Sequence, residues 1–115
     1  MSELQMTQEQ DEGILIYGLG GRLDSTTAKE LEASLKAELD GGRNAILMDM
    51  KDLDYISSAG LRVVLLAAKH LRGKEGRFAL SALKGEIRQV FEISGLLRIL
   101  TVHDDRATAL DALKR

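Results

Sequence analysis

A chain of 115 residues, 44% of them hydrophobic, suits one domain spanning 1–115 with one core. Its 16 basic and 18 acidic residues are well mixed and sum to −2, which argues against nucleic acid or an anionic membrane as partner and for proteins or small ligands. Without cysteine, and with only His70 and His103 as imidazoles, no disulfide, metal site or cofactor is expected; without a signal peptide or a run approaching about 18 apolar residues, the protein is expected to be soluble and cytoplasmic.

Proline is absent, so glycine punctuates the chain. Residues 4–10 alternate weakly and predict a polar edge strand. Asp11-Glu12-Gly13 reads as a turn and Ile14–Tyr17 as a more buried strand, together a hairpin. Thr27-Ala28-Lys29-Glu30 fits a capping box opening a helix that buries Ala28, Leu31, Leu35 and Leu39 and stops at Gly41-Gly42. Ala45–Met48 is too short an apolar run for a helix and reads as a central strand leading through Asp49–Asp54 into Tyr55-Ile56-Ser57-Ser58.

From Ser58 to about Arg72 the pattern is helical, but Leu61, Val63, Val64, Leu65, Leu66, Ala67 and Ala68 wrap most of the circumference. That implies a helix clamped between sheet and neighbours, or one with an apolar face left for a partner. After Gly73–Gly76, residues 77–81 read as a strand. Residues 84–94 read as a helix with Ile87, Val90, Phe91 and Ser94 near one face, and Ile99–Val102 as another strand. Arg106–Lys114 reads as a last helix with Ala107, Leu110 and Leu113 inward, and Asp104-Asp105 supply its caps. The predicted order is β-β-α-β-α-β-α-β-α, a mixed α/β fold with a single layer of helices on a mostly parallel sheet of four to five strands.

The chemistry concentrates where an apolar strand turns into a helix at Ser57-Ser58. First-turn N–H groups lack intrahelical partners and favour an anion, so a serine there serves as cap, nucleophile or phosphorylation site. A hydrolase is disfavoured: His70 lies about 18 Å along the helix from Ser58 at ~1.5 Å per residue, and no Gly-x-Ser-x-Gly elbow is present. Gly18-Leu19-Gly20-Gly21 lacks the spacing of a nucleotide-binding loop. Asp24, at a strand end before a helix, is a cap or a binding residue.

Three segments, Gly21-Arg22-Leu23-Asp24, Leu53-Asp54-Tyr55-Ile56-Ser57-Ser58-Ala59-Gly60-Leu61 and Ile93-Ser94-Gly95-Leu96, resemble the STAS domains, and within them the small stand-alone anti-sigma factor antagonists of bacteria. The resemblance implies a non-enzymatic, phosphorylated transcription regulator that works by partner switching. Unphosphorylated, it binds a serine-kinase anti-sigma factor and frees the sigma factor; phosphorylation by that kinase ends the binding, and a serine phosphatase restores it. Counting back from Gly60 puts the phosphoacceptor on Ser58, ahead of Ser57. Asp24 matches an acidic residue near the kinase-binding face, and Ser57, Gly60, Leu61 and Arg62 are expected to line the partner surface. Two positions depart from the family pattern: Ser57 replaces the usual aspartate and Ala59 the second hydroxyl. A monomer or weak homodimer is expected. The alternative implied by the same family is an unphosphorylated scaffold subunit of a larger assembly, such as a lipid transporter or stress complex.

Overall fold

The computed structural model describes residues 3–115. The chain forms β1 (Leu4–Asp11), β2 (Ile14–Leu23), α1 (Thr27–Asp40), β3 (Ala45–Ile56), α2 (Ser58–Gly73), β4 (Arg77–Ser81), α3 (Gly85–Ile93), a 3-10 turn (Leu96–Arg98), β5 (Val102–His103) and α4 (Arg106–Leu113). The strands lie in sequence order in one sheet, β1 antiparallel to β2 and the rest parallel. The predicted order of elements is therefore observed. No helix among the described residues is long and apolar enough to cross a membrane.

The helices do not form the single layer expected. Alternation along the strands sends Leu15, Tyr17, Ile46, Met48 and Leu80 to one face, where they pack with Leu31 and Leu35 of α1, Val64 and Ala67 of α2, and Ile87 and Phe91 of α3. The intervening residues Ile14, Ile16, Leu47 and Ala79 point the other way and meet Ala109 and Leu113 of α4 alone. Strands that are apolar on both faces must be covered on both, and the last helix supplies the second cover.

An ion relay fastens α4 there. Arg106 Nε donates to Asp49 Oδ2 at 2.9 Å and its Nη1 to Glu9 Oε2 at 3.0 Å. Burial works against the guanidinium's charge, but the pairing with Asp49 and Glu9 outweighs it and raises the arginine pKa. Asp49 is only 7% exposed, so Arg106→Ala leaves a nearly buried carboxylate unpaired. Because Arg106 itself is about one-third exposed, the expected loss is about 2 kcal/mol in a urea melt, below the range for a fully buried pair.

Five sequence expectations shift. β2 runs on past Tyr17 through Gly18–Gly21, so this glycine stretch is strand and not loop. A Cβ at Gly18 would strike the Thr7 hydroxyl, and at Gly21, whose φ is +80°, the Glu3 carbonyl. β1 thus crosses β2 too closely for side chains there. Thr27 is the first residue of α1 and not its cap, as its hydroxyl accepts from Asp24 N–H at 2.9 Å and donates to the Arg22 carbonyl at 2.8 Å. Most of Ile99–Val102 is not strand: Gly95, at φ +79°, turns the chain into a 3-10 turn, Ile99 is exposed, and β5 is Val102–His103. In α4 the inward residues are Ala109 and Leu113, with Leu110 half-buried and Ala107 exposed, while Ser94 after α3 is exposed too.

Candidate partner-binding site

The ends of β2 and β3 are tied together, and this determines where α2 begins. Leu23 and Ile56 pair in register, and Ser57 N–H donates to the Leu23 carbonyl at 2.9 Å. Ser57 is therefore held in an extended conformation, with φ −95° and ψ 173°, while its carbonyl accepts from Leu61 N–H at 3.0 Å. Its Oγ accepts from Gly60 N–H at 3.3 Å. Ser57 is thus the N-cap of α2, satisfying a first-turn donor that would otherwise have no partner.

Ser58 is consequently the first residue of the helix. It is exposed, and its hydroxyl has no hydrogen-bond partner among the described residues. The two serines, equivalent as residue types, have different tasks: one holds the helix end and the other is left open to solvent. Gly60, expected at the partner surface, is instead buried beneath it. A Cβ there would approach Ile56 Cγ1 and Leu23 Cγ to 2.9 Å and the Leu23 carbonyl to 3.0 Å, so glycine is what lets α2 sit on the strand ends. Leu61 is half-buried against the core and Arg62 is exposed. Along the rest of α2, Val63, Val64, Ala67 and Leu71 are buried, with Leu65, Leu66 and Ala68 half-buried, so the helix is clamped by its neighbours.

Asp24 follows Leu23 and lies on the same edge. Its Oδ1 accepts from the backbone N–H of Thr26 and of Thr27, both at 3.0 Å, so the carboxylate holds the entrance of α1. These bonds, Thr27's first, keep its carboxyl below the usual carboxylate range, helped by the nearby Arg22. A depressed folded-state pKa means that the contribution is complete above the ordinary aspartate pKa and is lost as pH falls through the folded value. Asp24→Asn is therefore expected to destabilise the protein near pH 7, with the gap to wild type narrowing in urea melts as pH falls below the ordinary aspartate pKa of about 4.

Arg22 and Tyr55 complete the rim. They are register partners across β2 and β3, the Arg22 guanidinium stands 4.2 Å from the centroid of the Tyr55 ring, and Tyr55 is 40% exposed. Arg22 Nε lies 3.5 Å from Glu3 and 3.9 Å from Asp24. Neither residue was singled out as a site residue from the sequence. The signal available was their position, one residue before Leu23 and two before Ser57 on strands that end together.

A model of the STAS domain matches residues 5–109. The chain belongs to the STAS domain family. It is 47% identical over 111 residues to a Bordetella bronchiseptica protein provisionally named anti-sigma factor antagonist BtrV, with 96% of each chain covered. Among solved structures, an anti-sigma factor antagonist from Mycobacterium paratuberculosis superposes with a TM-score of 0.90 at 23% identity, covering 97% of this chain and 95% of that one. The Bacillus cell fate determinant SpoIIAA in its phosphorylated form superposes with a TM-score of 0.77 at 23% identity, covering 94% and 98%. At that identity the likeness is one of fold.

Proposed function

We propose that this STAS domain is an anti-sigma factor antagonist that works in the cytoplasm by partner switching, with Ser58 as its phosphoacceptor. In the unphosphorylated state the edge formed by Asp24, Ser57, Ser58, Leu61 and Arg62, with Arg22 and Tyr55 at its rim, binds a serine-kinase anti-sigma factor and displaces the sigma factor. The kinase supplies the catalysis and this chain is its substrate. The γ-phosphoryl of ATP passes to Ser58: the Oγ–P bond forms as the bond to the β-phosphate bridging oxygen breaks, ADP leaves, and the hydroxyl proton goes to a base on the kinase. A serine phosphatase reverses the modification, and the antagonist acts as a monomer or weak homodimer.

The observation that carries this reading is the division of labour at Ser57-Ser58. A phosphoacceptor must offer a hydroxyl that a second protein's active site can surround, and Ser58 has one that is exposed and unbonded. Ser57 does not, because its oxygen caps the helix. The relative's name and the solved phosphorylated form of a structural neighbour support the same reading. The test is incubation with the cognate kinase and ATP followed by mass mapping of the tryptic peptides. One phosphate on Ser58, absent from Ser58→Ala, is expected; a phosphate on Ser57 alone, or on neither serine, contradicts it.

A further inference from the structure

Resting on that reading, the structure assigns a second role at the same edge: we propose that Arg62 is the internal receptor of the Ser58 phosphate, pairing with it across one helical turn. Residues four apart on a helix are neighbours on its surface, about 5–6 Å between Cβ atoms, and the pairing is best when the acidic member precedes the basic one. Ser58 and Arg62 have that spacing and order, both on α2 and both exposed. Phosphorylation therefore places a dianion one turn before a guanidinium whose planar fork suits two phosphate oxygens at once.

Arg62 is unengaged before phosphorylation. Its guanidinium makes no ion pair or hydrogen bond among the described residues, whereas Arg22, Arg43, Arg88, Arg106 and Arg115 each lie within ion-pair distance of a carboxylate. The reason is local. The sequence of α2, Ser58–Gly73, contains no aspartate or glutamate, so its own helix offers Arg62 no counter-ion. The pairing is also specific to one serine, since Ser57 stands four residues before Leu61 and not before Arg62.

The consequence is a change of two signs in the surface. Before phosphorylation the kinase meets a neutral hydroxyl with a free cation beside it. Afterwards the cation is occupied, and what remains exposed is the excess negative charge of the phosphate. The kinase loses a positive contact as well as gaining a charge to desolvate.

The test uses full-length protein with phosphoserine installed at position 58 during translation, so that it does not depend on any kinase. Titration of the phosphate by 31P NMR at low salt is compared for wild type, Arg62→Gln and Lys74→Gln, the last removing the same charge just beyond the far end of α2. Pairing predicts a second phosphate pKa about half a unit higher in Arg62→Gln than in wild type, unchanged in Lys74→Gln, with the difference collapsing at about 1 M salt. Equal pKa values in wild type and Arg62→Gln, or equal shifts in both variants, overturn it. Failure of the kinase to label Ser58 is a separate result that bears on the acceptor assignment alone.

Discussion

Ser58→Asp is expected to weaken binding to the kinase anti-sigma factor by about 100-fold, close to 3 kcal/mol, while Ser58→Ala stays within a few-fold of wild type. The asymmetry follows from where the hydroxyl stands. Because Ser58 is exposed and unbonded, removing its oxygen breaks nothing in the free protein, and the smaller alanine fits wherever the hydroxyl fitted. An aspartate must be desolvated against an interface that accepted a neutral group, and that cost rises further for the phosphate with roughly −1.5 to −2 charges. Folding stability separates the two serines in the opposite way. Ser57→Ala removes the N-cap and is expected to cost about 1 kcal/mol, while Ser58→Ala changes stability by under about 0.5 kcal/mol. Fluorescence titration with the purified kinase and urea melts of the free chain read the two effects independently. A scaffold with no switch would show Ala and Asp at position 58 binding alike.

Gly60→Ala is expected to destabilise the fold by about 2 kcal/mol, although the same substitution inside an ordinary helix is stabilising. Alanine gains up to about 1 kcal/mol in helix propensity over glycine, whereas overpacking a filled interior costs roughly 1–3 kcal/mol or more. At Gly60 the overpacking wins. One of the three atoms the new Cβ meets is the Leu23 backbone carbonyl at 3.0 Å, which also accepts from Ser57 N–H and cannot retreat without releasing the start of α2. Gly73, the last residue of the same helix, has nothing within 4 Å of an added Cβ, so Gly73→Ala is expected to be neutral or stabilising by up to about 1 kcal/mol. Opposite signs for these two glycines, measured by chemical denaturation, would show that α2 is positioned by contact with the strand ends. Loss of kinase binding in Gly60→Ala beyond its loss of stability would follow from the same displacement of Ser58.

How far the sequence could be read depended on whether the deciding interaction was local. The apolar spacing of Leu31, Leu35 and Leu39, and of Val63, Val64, Ala67 and Leu71, has helical period, and these residues are buried as the period implies. The order of elements follows from such patterns. What was not legible is what a partner strand or helix decides. Gly18–Gly21 has no strand propensity, and only its pairing with β1 and β3 makes it part of β2. Ile99 and Val102 look alike as β-branched residues, yet the turn at Gly95 leaves one exposed and delivers the other to β5. In α4, Leu113 and the half-buried Leu110 face the sheet as their spacing implies, while Ala109 and not Ala107 completes the inward face, where the helix packs on the second side of the sheet against Ile14, Ile16, Leu47 and Ala79.

The site shows the same division. The motif around Ser57-Ser58 was visible, and so was Asp24, but either serine suits an N-cap by type. The choice is made by a hydrogen bond across strands, from Ser57 N–H to Leu23, which sets the first turn of α2 one residue later. Gly60 belonged to the motif for a reason hidden in the interior, and Arg22 with Tyr55 joined the rim only because β2 and β3 are in register there.

The most direct test is a displacement titration. A fluorescently labelled sigma factor bound to its kinase anti-sigma factor is titrated, without ATP, with the unphosphorylated chain and, separately, with the same chain phosphorylated at Ser58. The unphosphorylated chain is predicted to release the sigma factor, with anisotropy falling to that of the free label, while the phosphorylated chain leaves the complex intact over the same range. Equal release by both forms, or by neither, would contradict the switch at Ser58.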